Sequence, residues 1–150
     1  APLLGEGLVF VAAPKTAEGL GDTIEMADVL ERELVLAGER DPVRQLVVGA
    51  AERLALPLKV GFEATSVSMM KSLVMRGDAA SVMPRGSVGA EIDTGRLVGL
   101  RIVNPVVSRT LYLVRSSRRA PFQAEAEISD FLFAMVDSFA ERMGNLVHKL

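Results

Sequence analysis

The sequence predicts an α/β fold in which a parallel or mixed sheet is flanked by helices. Short apolar segments rich in β-branched residues alternate with segments whose apolar residues recur at helical spacing, and turn residues separate them. Three strand–helix units of this kind follow one another between residues 34 and 103. Parallel neighbours need crossovers of about a dozen residues, usually helices, so this alternation predicts a sheet with helices on its faces.

The first elements are a strand, a loop and a short helix. Leu8 to Ala13 is apolar and partly β-branched, which predicts a buried strand that ends at Pro14. Lys15 to Thr23 holds two Gly and several small polar residues, which is typical of a surface loop. A short helix follows, with an apolar stripe formed by Met26, Val29 and Leu30.

The regular part of the chain supplies four further strands and three helices. The strands are predicted at residues 34–37, 58–62, 79–83 and 97–103, and the helices at 42–55, from about 67 to 76, and 88–93. Asp41 is the predicted N-cap of the first helix, with Pro42 as its first residue. Gly77 is expected to end the second helix.

The last third of the chain predicts one strand and one long helix. Thr110 to Val114 is the strand, and the helix starts near Pro121. Its apolar stripe is either core or a partner surface, and consists of Ile128, Phe131, Leu132, Met135, Val136, Phe139, Met143, Leu146 and Val147. His148, close to the end, is expected to be a frayed terminal residue.

Composition excludes several classes of function. Lys and Arg number 17 against 19 Asp and Glu, so the net charge of −2 predicts no DNA-binding surface on this chain. With no Cys and one His, thiolate nucleophiles, Ser-His catalysis and multi-His metal sites are not expected, and neither is a cofactor. No apolar run is long enough to cross a membrane. The start lacks both Met and a signal pattern, so we expect an excised or processed piece of a cytoplasmic protein.

Three turns could bind a ligand, because ligands of open α/β sheets sit at the carboxyl ends of the strands. The turns are Glu39-Arg40-Asp41, Glu63-Ala64-Thr65-Ser66 and Pro84-Arg85-Gly86-Ser87. Their backbone N–H groups, hydroxyls and Arg side chains suit a small anion such as a carboxylate. Asp41, Ser66 and Ser87 could instead cap their own helices, and Arg40 and Arg85 could be solvated. Thr65 is favoured as a ligand contact, because Ser66 beside it can act as the cap.

Two other patterns receive a structural interpretation. Arg115, Arg118 and Arg119 form a small basic cluster, which indicates a solvated loop more readily than a phosphate site. Gly5-Glu6-Gly7 precedes a strand instead of following one, which is the wrong context for a dinucleotide-binding loop.

Several segments, taken in order, resemble the C-terminal effector-binding domain of LysR-type transcriptional regulators. They are Val60-Gly61-Phe62-Glu63-Ala64-Thr65-Ser66, Leu73-Val74-Met75-Arg76-Gly77, Ser81-Val82-Met83-Pro84-Arg85, Gly95-Arg96-Leu97-Val98 and Ser108-Arg109-Thr110-Leu111-Tyr112-Leu113-Val114. The family fold consists of two α/β lobes like those of type 2 periplasmic binding proteins. Two crossover strands join the lobes, and a small-molecule effector binds in the cleft.

The resemblance implies one full lobe plus part of another. Residues 14–106 would form the second lobe, and residues 1–13 and 107–150 would be the crossover strands and closing helix of an incomplete first lobe. Thr65, Ser66, Met83 and Pro84 would line the effector pocket, alongside Arg40 and Arg85 from the turns. The expected partners are an anionic effector, a second copy of the chain, and DNA only through a helix-turn-helix domain that this chain lacks.

Two departures from the family pattern stand out. Gly77 is followed by Asp78 and Ala79 where the family usually has a second Gly, and Ser81 stands where aliphatic residues are common. With the first lobe incomplete, the strands at 8–13 and 110–114 are expected to lack sheet neighbours and the chain to self-associate. The alternatives are a periplasmic-type solute-binding module and a small α/β enzyme, which would need catalytic groups converging at the strand ends.

Overall fold

The chain divides into two compact units. A computed structural model describes residues 1–116, 118, 120, 123–144 and 147–149. One unit, which we call the terminal unit, comprises Ala1–Glu6 and Arg109–Leu150, and the other, the central unit, comprises Gly7–Ser108. The first strand of the chain runs from one unit into the other.

The described residues form eight strands and five helices. In chain order they are β1 (Pro2–Ala12), β2 (Thr23–Glu25), α1 (Met26–Leu30), β3 (Leu34–Leu36), α2 (Pro42–Leu54), β4 (Val60–Glu63), α3 (Val67–Arg76), β5 (Ser81–Pro84), α4 (Arg85–Asp93), β6 (Val98–Val103), β7 (Ser108–Tyr112), α5 (Glu125–Met143) and β8 (Val147–Lys149). The three predicted strand–helix units are therefore present, and the α/β class is confirmed.

The sheet of the central unit is mixed. Its strands follow the order β2-β6-β1-β5, and β3 pairs with β4. A parallel bridge between Leu34 and Ala80, with Val35 N donating to Ala80 O at 2.9 Å, connects β3 to the chain just before β5. β1 is antiparallel to both β5 and β6, whereas β2 is parallel to β6 and β3 to β4. One antiparallel strand thus lies among parallel ones.

The sequence of residues 8–12 is continuously apolar because this strand is covered on both faces of the sheet. Leu8, Phe10 and Ala12 belong to the cluster that also contains the buried residues of α1 and α2. The alternate residues Val9 and Val11 are also buried, and they face the other side of the pleated sheet. The expectation that this strand lacks neighbours is wrong, since β5 and β6 flank it.

Helix ends in the central unit follow the sequence signals. Asp41 caps α2, accepting hydrogen bonds from the backbone N–H groups of Val43 at 2.9 Å and Arg44 at 3.1 Å. α3 ends at Gly77, whose φ of 80° is a conformation that glycine adopts without steric cost. Both predictions are confirmed.

Two differences from the expected boundaries have a clear physical reason. α4 begins at Arg85 instead of Val88, so Ser87 lies inside the helix and does not cap it. Gly86 and Ser87 are turn residues by propensity, but once Pro84 has set an extended N-cap conformation they continue helically. The predicted loop at 15–23 ends in β2, whose pairing with β6 is a long-range contact that local sequence does not encode.

The terminal unit contains α5 and the strands that pair with the start of β1. β8 pairs with Leu4–Glu6, so the backbone of His148 lies opposite Gly5 and the expectation of a frayed end is wrong. β7 also pairs with β1. α5 begins at Glu125, and the predicted start near Pro121 falls on a residue outside the described part of the chain. No residue of α5 is buried, and Ile128, Phe131 and Met135 are exposed.

No helix within the described residues combines the length and apolar character that a membrane crossing requires.

Candidate functional site

The carboxyl edge of the parallel strands brings together three helix N-termini. α2, α3 and α4 begin after β3, β4 and β5, which run in the same direction. The free N–H groups of a helix N-terminus carry partial positive charge, so this edge offers several potential hydrogen-bond donors to an anion. Which donors are free depends on the capping side chains.

An ion pair joins the ends of β3 and β4. The Nη1 atom of Arg44 donates to the backbone oxygen of Ala37 at 2.8 Å and to Oε2 of Glu63 at 2.7 Å. The Arg44 side chain is only 13% exposed, whereas Glu63 is largely open to solvent. The Arg44 charge is therefore committed to the protein, and it fixes the Glu63 carboxylate at the end of its strand.

A depression of about 570 Å³ lies beside this ion pair. Its lining comes from two turns, Ala37–Asp41 after β3 and Glu63–Thr65 after β4. Arg40 and Thr65 both line it, and both are exposed. The carboxylates of Glu39, Asp41 and Glu63 share the rim with Arg40, so the site has mixed charge.

Ser66 and Thr65 have different roles in the structure. The Oγ atom of Ser66 accepts a hydrogen bond from the N–H of Met69 at 3.2 Å, which makes Ser66 the N-cap of α3. Thr65 precedes it and takes no part in the cap. The sequence prediction that one hydroxyl caps while the other is exposed thus agrees with this geometry, although a ligand contact by Thr65 stays a prediction.

The other predicted site residues lie away from the depression. Met83 and Pro84 are buried at the end of β5. Arg85 lies along its own helix, with Nη2 donating to Asp93 Oδ1 at 3.1 Å and Nη1 buried without a hydrogen-bond partner. That position is available because residue 89 is Gly, where a Cβ would stand 3.1 Å from Nη1. The depression therefore brings together Arg40 and Thr65 of the six predicted residues, and a ligand-binding role for all six stays a prediction.

Sequence reasoning missed the contribution of Arg44 and the ion pair it forms. Arg44 lies three residues after the N-cap Asp41, which places it in the first turn of α2. The one signal in the sequence is that this Arg and the Glu at the end of the neighbouring parallel strand lie at the same edge of the sheet. The contact itself spans 19 residues, so local sequence does not specify it.

A second charge cluster joins α3 to α4. Lys71 Nζ donates to Glu91 Oε1 at 2.7 Å and to the backbone oxygen of Ser87 at 3.3 Å, and Arg96 lies 3.9 Å from the same carboxylate. The hydrogen bond from Lys71, together with one from the residue's own backbone, lowers the pKa of Glu91 even though burial opposes this. The cluster therefore holds a charged carboxylate in a buried position and links the two helices.

The terminal unit contains a cavity of about 610 Å³. Its lining is largely apolar and includes Leu113, Val114, Ile128 and Leu132. The ion pair between Arg115 and Glu125, at 3.0 Å, lies at this cavity. Of the predicted basic cluster, Arg118 is exposed and Arg119 lies outside the described residues. Among the described residues, no group of three or more His, Cys, Asp or Glu could hold a metal ion.

One protein family model matches most of the chain. The model is that of the LysR substrate binding domain, and it covers residues 1–136. The HTH-type transcriptional regulator BbuR of Bordetella bronchiseptica is 23% identical over 141 residues, which are 94% of this chain and 43% of the relative. The chain thus spans less than half the length of this curated relative.

Solved structures of regulatory domains share the fold. The effector binding domain of QuiR in complex with shikimate has a TM-score of 0.75 at 20% identity, over 91% of this chain and 64% of that one. The regulatory domain of Synechocystis PCC6803 CcmR, in complex with 2-PG, has a TM-score of 0.72 at 18% identity, over 91% of this chain and 65% of that one. The apo-form of the Salmonella typhimurium HypT regulatory domain has a TM-score of 0.69 at 22% identity, over 92% of this chain and 65% of that one.

Proposed function

Because this chain belongs to the LysR substrate binding domain family, we propose that it is the effector-sensing part of a LysR-type transcriptional regulator of the cytoplasm. In this proposal a small molecule binds the chain and alters DNA binding by a helix-turn-helix domain outside it. The described relative BbuR, an HTH-type regulator, supports this assignment. The role proposed is that of a sensor, without a catalytic step, metal or cofactor.

The lobe assignment forms part of the proposal. Residues 14–106 are the second lobe of the effector domain, and residues 1–13 and 107–150 are the return portion of the first. The division of the chain at Glu6–Gly7 and Ser108–Arg109 supports this assignment. This chain covers 64% and 65% of the two ligand-bound neighbours. In the proposal, residues outside these 150 supply the rest of the first lobe.

The observation that carries the proposed site is the pairing of Arg40 with Thr65 in one depression. They come from different turns, yet both line the opening at the carboxyl edge of the sheet. Arg40 supplies a positive charge and Thr65 a hydroxyl, which together suit a small carboxylate or phosphate. The neighbours bound to shikimate and to 2-PG support an anion of that size.

Thermal stabilisation of the full-length regulator tests this proposal. A panel of small carboxylates and phosphates that includes shikimate and 2-PG is screened for a rise in Tm. For a compound that binds, Arg40→Gln should weaken binding about tenfold or more, because a hydrogen bond to a charged group is lost, and Thr65→Val should weaken it less. Arg53→Gln is the matched control, since Arg53 is an exposed Arg of α2 that does not line the depression.

Two results would count against the proposed site. One is a panel in which no compound raises the Tm of the full-length protein. The other is a compound that binds Arg40→Gln and Thr65→Val as tightly as the parent, which would place its site elsewhere.

A further inference from the structure

A buried ion pair joins two strands of the terminal unit. Arg109 of β7 donates from Nε at 3.0 Å and from Nη2 at 2.8 Å, and both bonds reach Oε2 of Glu6 in β1. The Glu6 side chain is 2% exposed and that of Arg109 is 33% exposed. Glu6 is the most buried of the six ion-paired carboxylates among the described residues.

The two residues lie where the chain passes between its units. Glu6 is the last residue of the terminal unit before the chain enters the central unit, and Arg109 is the first residue after it returns. They are 103 positions apart in sequence. The ion pair therefore links the only two segments that connect the units covalently.

The backbone around Glu6 is paired with both β7 and β8, and Leu8 N donates to Val107 O at 2.8 Å just beyond it. Gly5 and Gly7 flank it, and neither carries a side chain that could pack against β7. Glycine is also the residue with the largest conformational freedom, so a Gly-Glu-Gly segment is intrinsically permissive. Ala1 and Leu113 exchange reciprocal backbone hydrogen bonds of 2.8 Å at the far end of the β1–β7 pair. Where the chain passes between its units, the Glu6–Arg109 ion pair adds a side-chain contact to these backbone pairings.

We propose that Glu6 and Arg109 form a hinge clamp, which holds β1 and β7 side by side where they connect the two units. The two connecting strands then move as one body. Burial makes the restraint strong, because separating the pair would leave the Glu6 carboxylate in a site with little water. The clamp concerns how the units are joined and does not depend on which effector binds.

Two measurements on the 150-residue chain test the clamp. Hydrogen exchange should show that Glu6→Gln accelerates exchange about tenfold in residues 2–7 and 108–113, and leaves β3 and β5 unchanged. Since the chain has no Cys, spin labels can be attached at Arg53→Cys in the central unit and Glu127→Cys in the terminal unit. The distance distribution between the labels should broaden in Glu6→Gln relative to the parent.

Matched variants separate a clamp from general stabilisation. Arg115→Gln removes the more exposed ion pair with Glu125 in the same unit, and should leave both measurements at the parent values. If Glu6→Gln fails to fold, Arg109→Lys keeps the charge but loses the two-nitrogen contact, and should broaden the distribution by an intermediate amount. An unchanged label distribution in Glu6→Gln and Arg109→Lys, or accelerated exchange spread evenly over both units, would overturn the clamp.

Discussion

The central and terminal units differ in how completely their helices are packed. In the central unit, every helix buries part of one face, and the central strand β1 is covered on both sides over residues 8–12. In the terminal unit, α5 has 19 residues and none is buried, although Ile128, Phe131 and Met135 give it an apolar stripe. The stability of a protein helix comes mainly from burying such a face, so the two units have unequal means of holding their structure.

The helix ends show the contrast only in part. α2 and α3 are capped by the side chains of Asp41 and Ser66. The N-cap of α5 is Ala124, which has a φ of 68° and forms no side-chain cap hydrogen bond. Helices α1 and α4 also lack a side-chain cap hydrogen bond, so what sets α5 apart among the described helices is that it buries no residue. The difference supports the proposal that the terminal unit is part of a larger lobe.

The largest expected effect compares two Phe residues. Phe10 in the central unit is fully buried, whereas Phe131 on α5 is 64% exposed. Phe10→Ala removes a packed ring and leaves a cavity, so we expect a loss of ~3–5 kcal/mol in the free energy of unfolding. Phe131→Ala should change it by no more than about 0.5 kcal/mol. Urea denaturation followed by circular dichroism measures both, and equal losses would mean that α5 is packed as tightly as the core.

The same Phe131→Ala variant tests the predicted self-association. An exposed stripe of Ile128, Phe131 and Met135 favours contact with a second copy of the chain. Light scattering should show a larger mean mass for the parent than for the variant at equal concentration. A parent that is monomeric at high concentration would contradict self-association through this helix.

Sequence alone predicted most of the central unit for a physical reason. Its strands and helices are short, regular and separated by strong signals such as Asp41-Pro42 and Gly77, so local propensity agrees with the packed structure. β2 and β8 were missed, because each has three residues and is defined by its partner strand more than by its own sequence. The start of α4 was misplaced because Gly86 and Ser87 have turn propensity that the helix overrides.

The candidate site was less predictable than the fold. The turns after β3 and β4 were correctly placed at one edge, because parallel strands end on the same side of a sheet. The partner of each charged side chain was not predictable: Arg85 pairs with Asp93 along its own helix, while Arg44 reaches Glu63. Side-chain pairing at an edge depends on rotamers and on long-range register, which residue spacing does not encode.

A smaller effect is expected at the cap of α2. Asp41 accepts two backbone hydrogen bonds at the first turn, and Asp41→Ala leaves both donors without that partner. We expect a loss of about 1 kcal/mol in the free energy of unfolding, measured by urea denaturation. Asp41→Asn, which keeps an acceptor oxygen, is the matched control and should retain most of the stability. If both variants lose the same amount, the negative charge beside Arg40 and Arg44, and not the cap, is the stabilising feature.

The smallest effect is a pH dependence under acid conditions that comes from Glu91 in the central unit. The Lys71 hydrogen bond lowers the pKa of Glu91 below its ordinary value of 4.5 in the folded protein. A group with a depressed folded pKa binds more protons when unfolded, so its contribution to stability is present above the unfolded pKa and disappears as the pH falls through the folded one. We therefore expect the unfolding free energy of the parent to fall more steeply than that of Glu91→Gln below about pH 4.5. Urea denaturation at a series of pH values measures the slopes, with Glu52→Gln, an exposed residue of α2, as control. Equal slopes in the parent and Glu91→Gln would show that the Lys71–Glu91 ion pair contributes nothing to the acid sensitivity of the unfolding free energy.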